Sequence, residues 1–234
     1  MKKYLLFRLY GPMCSWGDIA VGETRPSFSH PTKSAVLGLV AGALGIRRDE
    51  EEKHRLLGEA LGFAVLVESV GTPLTDYHTA QVPSGNERYY TRKDELAGPR
   101  SDLNTILSSR DYRSDGLYTV ALWEKEQNEW GLKRMVDALK QPFFVPYLGR
   151  KSCPSAVPFE PQMIDAATLI ESFARARFLD FNGMGLKTTG QKALYWDKCD
   201  HAGINEQHVF ERRDMLLSRG RWQFDTRQEM HAAL

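Results

Sequence analysis

An apolar strand, a long polar loop and an apolar helix fill residues 1–48, and that order restricts what the whole chain can become. Tyr4-Leu5-Leu6-Phe7-Arg8-Leu9 reads as a strand that breaks at Gly11-Pro12. The loop behind it carries Met13, Cys14, Trp16 and Gly17, then Arg25-Pro26. Pro31-Thr32-Lys33-Ser34 opens a helix expected over residues 35–46. Strand, loop and helix in this order make half of a βαβ-type unit, with the first strand at or beside the centre of its sheet.

The same stretch is lopsided in charge. Seven cations (Lys2, Lys3, Arg8, Arg25, Lys33, Arg47, Arg48) face only Asp18 and Glu23, a net of +5 where the whole chain carries +1. A basic end on a near-neutral protein points to one face meant for an anion such as a phosphate backbone. Lys2, Lys3, Arg47 and Arg48 are read as solvating the ends of their elements. With 234 residues, 42% of them hydrophobic, the chain is long enough for a substantial core. No apolar run reaches the roughly 20 residues of a membrane span, and Arg8 interrupts the N-terminal one, so neither a span nor a signal peptide is expected. Cys14, Cys153 and Cys199 are far apart and form no Cys-x-x-Cys pair. That argues for a reducing cytoplasm and against a disulfide framework or a zinc site; no cofactor or metal is expected.

Further along, residues 51–60 read as a solvated helix and Phe63-Ala64-Val65-Leu66-Val67-Glu68 as a strand. From residue 76 to 115 apolar content falls and turn formers multiply (Pro83, Ser84, Gly85, Asn86, Gly98, Pro99), the mark of a functional or disordered insertion. Arg88, Tyr89, Tyr90, Arg92 and Lys93, and again Arg110-Asp111-Tyr112-Arg113, interleave aromatics with cations in a way that suits unstacked bases and phosphates. Carboxylates balance those cations, so a protein partner fits as well. Leu117-Tyr118-Thr119-Val120-Ala121-Leu122-Trp123 is a strand, residues 130–139 an amphipathic helix, and Pro142-Phe143-Phe144-Val145-Pro146-Tyr147 an extended segment.

The predicted order is β-α-β-β-α-β, an α+β, ferredoxin-like (RRM-like) arrangement whose sheet face serves RNA in recognition modules. The insertion is a thumb between the middle strands. This domain spans residues 1–160; residues 161–234 are expected to form a small irregular α/β extension. In the extension, a helix is read over 165–177, a loop at Gly183, Gly185 and Gly190, and short strands over 193–196, 209–213 and 221–224. Tyr147-Leu148-Gly149-Arg150-Lys151-Ser152-Cys153-Pro154 is the second conspicuous loop: a glycine permits close approach, and two cations, Ser152 and Tyr147 offer donors to phosphate.

Five blocks in one order then resemble a known family. Gly11-Pro12-Met13-x-x-Trp16-Gly17, Thr24-Arg25-Pro26, Pro31-Thr32-Lys33-Ser34, Asp76-Tyr77-His78-Thr79 and the run from Pro146 to Pro154 are similar to the CasD-type subunits of type I-E CRISPR Cascade complexes. That resemblance implies a non-catalytic RNA-binding subunit that caps the 5′ repeat-derived handle of the guide RNA. It also implies two protein partners, a CasC-like backbone subunit and a CasA-like large subunit, with target DNA engaged indirectly. Trp16, Arg25, Lys33, Tyr147, Gly149, Arg150, Lys151 and Ser152 are the expected RNA contacts. Arg88, Tyr89, Tyr90, Arg92, Lys93, Arg110 and Arg113 are the expected thumb contacts, to RNA or partner.

Several residues of these blocks have a plainer reading beside the binding one. Trp16 is either a base platform or a core aromatic pinning its loop. Tyr77 and His78 serve as a strand-end pair closing the insertion, and Cys14 and Cys153 as small buried fillers. A metal-independent endoribonuclease is the rival function, with His30, Tyr77, His78 and Lys33 as candidate acid–base and phosphorane-stabilising groups. A protein-interaction scaffold without RNA contact is the third.

Overall fold

In the computed structural model, described for residues 1–85, 87–126, 128–180, 191–218, 220–221 and 223–234, most strands join one large sheet. In chain order the elements are β1 (Lys2–Tyr10), β2 (Met13–Cys14), β3 (Trp16–Gly17), β4 (Thr24–Arg25), β5 (Ser27–Phe28), α1 (Lys33–Ala43) and α2 (Glu51–Ala60). Then come β6 (Leu61–Ser69), β7 (Thr72–Pro83), α3 (Arg92–Glu95), β8 (Leu103–Ser114), β9 (Leu117–Glu124) and α4 (Gly131–Lys140). The chain ends with β10 (Gln162–Ala166), α5 (Leu169–Arg175), β11 (Ala193–Asp197), β12 (His208–Ser218) and β13 (Gln223–Ala233). The loop marked by Gly183, Gly185 and Gly190 lies outside the described residues, as do Asn86 and Trp222. No helix among the described residues is long and apolar enough to cross a membrane.

The large sheet runs β10-β1-β9-β6-β11-β13-β12, every neighbouring pair antiparallel. β1 sits inside it and is buried on both faces, which explains why it reads as a continuous apolar run. Leu5, Phe7 and Leu9 face a core shared with α1, α2 and α4; Tyr4 and Leu6 face a second core beneath α5 and residues 194–204. Helix α1 starts where Thr32 accepts the Ala35 N–H. It stops in a Schellman turn: Gly45 is left-handed (φ +82), Ile46 N–H donates to Ala41 O and Gly45 N–H to Gly42 O.

Three expectations change. The strand beside β1 on its outer side is β10, not residues 142–147, which carry no strand beyond a bridge from Tyr147 to Pro154. Prolines at 142 and 146 cannot donate to a ladder, so pairing waits until Gln162. The helix read over 165–177 is shorter, because Asp165 and Ala166 belong to β10 and only Leu169–Arg175 is helical. The boundary at residue 160 runs through one continuous sheet: β11, β13 and β12 extend it beyond β6. The sheet face that serves RNA in recognition modules is here covered by Leu169, Ile170 and Phe173 of α5 and by Phe178.

A buried ion cluster binds the C-terminal hairpin to the start of α1. Arg227 Nε and Nη2 reach Asp214, Nη1 reaches Asp197 and Nη2 also reaches Glu229, at 2.7–3.0 Å. Lys33 Nζ donates to Asp197 at 2.7 Å, and the Lys33 N–H donates to Asp214 at 2.7 Å, putting an anion at the helix N-terminus. Arg212 and His30 both meet Glu229 Oε2. Burial favours the neutral Glu229 acid, but His30, Arg227 and Arg212 outweigh it and hold the pKa at about 2. Burial also lowers His30, so near neutral pH that imidazole is uncharged; it donates through Nε2–H while the two arginines supply the charge. Its ring stacks on Tyr195 at 3.8 Å, and Tyr195 meets His231 at 4.7 Å.

Replacing Arg227 with Met leaves three carboxylates short of partners, and urea denaturation should show a loss of about 3–5 kcal/mol. A loss below about 1 kcal/mol would mean that the cluster contributes little to folding. His30 and His231 both have pKa values lowered in the folded state, chiefly by burial, so the unfolded chain binds more protons in mild acid. Their contribution is whole above the unfolded histidine pKa of about 6.5 and is lost as pH falls through the folded values. Thermal unfolding scans should therefore show stability falling from pH 7.5 to 5.5, and falling less in His231→Phe. An identical pH slope in that variant would contradict the assignment. The Nδ1 of His231 is buried without a hydrogen-bond partner, so the phenyl ring strands nothing.

Candidate nucleic-acid interface

The insertion folds as a ribbon. β7 and β8 pair over their full length, from Thr72↔Ser114 at the base to Pro83↔Leu103 at the tip. At the base, the other edge of β8 takes two short strands from the N-terminal loop. β2 pairs antiparallel (Cys14↔Arg113), and β4 pairs parallel, setting Arg25 opposite Arg110. The thumb thus grows from a four-stranded root that the N-terminal loop helps to build.

The second conspicuous loop folds onto that root. Leu148 N–H donates to Cys153 O at 2.7 Å and Cys153 N–H to Arg150 O at 2.9 Å, closing residues 147–154 into a tight turn around two buried side chains. The turn docks where Ser15 N–H donates to Leu148 O, and Ser15 Oγ donates in turn to Asp111 O on β8. Gly149 lies over the Ser15 carbonyl with φ +84; a Cβ there would stand 1.8 Å from that oxygen. Only glycine fits both the space and the backbone angle.

This docking aims Arg150 at the root. Its guanidinium lies 4.7 Å over the Tyr112 ring, and Nη2 donates to the Arg25 carbonyl at 3.0 Å. Nη1 of Arg150 has no hydrogen-bond partner. Arg25 is exposed and held by its own loop, Nη1 donating to Gly22 O and Thr24 O. Lys151 and Ser152 are exposed next in the chain, with Tyr147 half-buried at the foot of the turn. Arg113 follows Tyr112 on β8 and turns to the opposite face, beside Cys14 and Tyr118, whereas Arg25, Arg110, Tyr147, Gly149, Arg150, Lys151 and Ser152 come together from three segments. Their donors fit phosphate oxygens, and the fork of Arg150 is already oriented by Tyr112 and Arg25.

Two expected contacts are placed elsewhere. Trp16 is 1% exposed and meets Tyr118 edge to face at 5.5 Å, so it anchors the loop and offers no face to a base. Lys33 is 6% exposed and spent on Asp197, because the buried carboxylates of the C-terminal hairpin need its charge. Arg88, Tyr89, Tyr90, Arg92 and Lys93 sit at the thumb's far end. Seven steps along β8 take the strand from Leu103 to Arg110, about 23 Å at strand rise. Tyr90 is fully exposed there, while Arg92 pairs with Glu95.

The residues named for RNA cleavage are likewise dispersed. His30 and Lys33 are buried on Glu229 and Asp197, whereas Tyr77 and His78 lie exposed on β7, His78 bonded to Asp76. Cys14 and Cys153 fill the core, and burial raises both thiols, Cys14 to about 12, far from reactive thiolates.

What the linear chain hid is the set of acids. Asp197, Asp214 and Glu229 stand scattered among polar residues, and only their inward turn on adjacent strands makes them one cluster. Tyr112 was visible within its aromatic–cation run, but its role beneath Arg150 arises from the docked turn.

Comparison with known proteins agrees with this geometry. Residues 4–228 match the family described as CRISPR-associated protein (Cas_Cas5). Over 166 residues the chain is 36% identical to the CRISPR system Cascade subunit CasD of Escherichia coli (strain K12), covering 68% of this chain and 70% of that one. A chain of a solved CRISPR RNA-guided surveillance complex superposes with a TM-score of 0.67 at 26% identity, covering 98% of this chain and 89% of that chain. A Cas protein crystal structure gives 0.62 at 25% identity, covering 99% and 94%. A family match spanning nearly the whole length, together with this level of identity, settles the affiliation: the chain belongs to the CRISPR-associated Cas5 family.

Proposed function

We propose that this protein is a non-catalytic RNA-binding subunit of a Cascade-type surveillance complex in the cytoplasm, holding the 5′ repeat-derived handle of the guide RNA on the thumb root. In the same reading it joins a CasC-like backbone subunit and a CasA-like large subunit, and meets target DNA only through the complex. The observation that carries the proposal is the convergence of three distant segments on one surface. Arg25, Arg110 and Arg150 are mutually positioned there, with Lys151 exposed beside them. An irregular RNA hook needs such phosphate donors and does not need a catalytic cleft. Against cleavage stands the dispersal of the candidate acid–base groups, since a general base must come within hydrogen-bond reach of its proton. The relatives' descriptions, a Cascade subunit and an RNA-guided surveillance complex, support the same assignment.

The architecture also belongs to this reading. The strand order β10-β1-β9-β6, with helical connections from β1 to β6 and from β9 to β10, supports a ferredoxin-like β-α-β-β-α-β unit. In a recognition module of that kind the open sheet face stacks bases. Here α5 takes that place, and the loops beside the thumb are left to do the binding.

Binding of labelled handle RNA to Arg150→Ala plus Lys151→Ala should weaken, and the slope of log K against log salt should become shallower by about 1.4 for two lost single-strand phosphate contacts. Equal affinity and slope would place the RNA elsewhere. Cutting at one repeat position in metal-free buffer would overturn the non-catalytic role, and absence of handle-dependent binding would leave a protein-interaction role alone. Gly149→Ala should cost at least about 1 kcal/mol of stability through strain and lower handle affinity, because the added methyl lifts the turn from Ser15. Wild-type affinity in that variant would separate RNA binding from the docked turn.

A further inference from the structure

A second surface has a different chemistry. Phe143 is 72% exposed, Phe144 41% and Val145 86%, three consecutive apolar side chains turned to solvent. Their backbone is nonetheless fixed. Phe143 N–H donates to Ala43 O at 3.0 Å and Phe144 N–H to Gly42 O at 3.2 Å, capping the last turn of α1. The Phe143 ring rests so close to Gly45 that a Cβ there would lie 3.1 Å from it, and Pro142 and Pro146 stiffen both ends. Exposed apolar side chains on an ordered backbone lose little freedom when a partner arrives.

Beside the loop runs a groove of about 870 Å³ lined by Leu139, Pro142, Pro146, Val157, Phe159 and Phe178. Lys140 and Arg177 also line it. Its acid, Glu160, already accepts the Leu179 N–H at 3.1 Å. A base ladder does not suit this surface. The two phenyl rings meet edge to face at 4.9 Å, Phe143 leans on Gly45, and Val145 has no π-face. Branched and aromatic apolar groups over a groove lined by Lys140 and Arg177, whose one lining acid is already bonded, suit a protein anchor with acidic flanks.

We infer that residues 143–145 and the adjoining groove form a protein docking surface, which receives an apolar segment flanked by acidic residues from another subunit of the surveillance complex. The inference rests on the subunit role proposed above. It assigns the protein partner to residues other than those of the Arg25–Arg150 surface.

The test uses the intact chain with the companion protein subunits of its own complex, and reads two quantities: affinity for those subunits and affinity for handle RNA. Val145→Asp alters a side chain that the core does not use. It should lower subunit affinity about tenfold or more while leaving RNA affinity and thermal stability unchanged. Lys140→Glu should lower subunit affinity severalfold, with the loss shrinking at high salt. Unchanged subunit affinity in Val145→Asp overturns the proposal, and an unaffected Lys140→Glu overturns the acidic flank. A Val145→Asp chain that keeps its subunits but loses RNA makes this an RNA surface instead. A wild-type chain that binds handle RNA yet joins no subunit defeats the docking surface alone. One that joins through this loop yet ignores RNA defeats only the RNA-binding role.

Discussion

The ion cluster around Arg227 governs how the chain can use its charge. Three carboxylates buried on adjacent strands must each find a cation, or the desolvation cost would exceed what the hairpin gains by packing. They take Lys33, Arg227 and Arg212, and in doing so they fasten the last strands of the sheet to the first turn of α1. The N-terminal excess of positive charge is thereby divided. Lys33 is consumed inside, whereas Arg25 stays outside and joins cations from the thumb and from residues 150–151.

Two-sided burial has a similar effect on where function can sit. Because α1, α2 and α4 cover one face of the central strands and α5 covers the other, β1, β9 and β6 have no open face for a ligand among the described residues. Binding is left to the loops and the ribbon that leave its edge, and a rigid scaffold is what makes such loops usable. The root of the thumb is held from several sides. β2, β4, β7 and the Gly149 turn all hold β8, so Arg150 reaches its place without a ligand to position it.

Much of this was readable in the chain, for identifiable reasons. β1, β6 and β9 are buried on both faces, so their apolar runs announce strands without any need for alternation. The insertion declared itself by losing apolar residues between two such runs, and Gly149-Arg150-Lys151 by its chemistry. The misreadings arose where tertiary partners decide. Phe143-Phe144-Val145 has strand composition, yet its N–H groups cap α1 instead of joining a ladder. Trp16 and Lys33 share a basic loop region with Arg25, but one side chain turns into the core and the other toward Asp197, 164 residues away. β12 and β13 are long because they pair with each other, a property invisible in either segment alone.

The central claim is that handle RNA lies on the root of the thumb, and zero-length ultraviolet crosslinking with mass-spectrometric mapping tests it most directly. The account predicts crosslinks in residues 147–152 and in the adjoining β4 and β8 segments around Arg25 and Arg110–Arg113. Crosslinks confined to β12 and β13, or to Phe143–Val145, would contradict it.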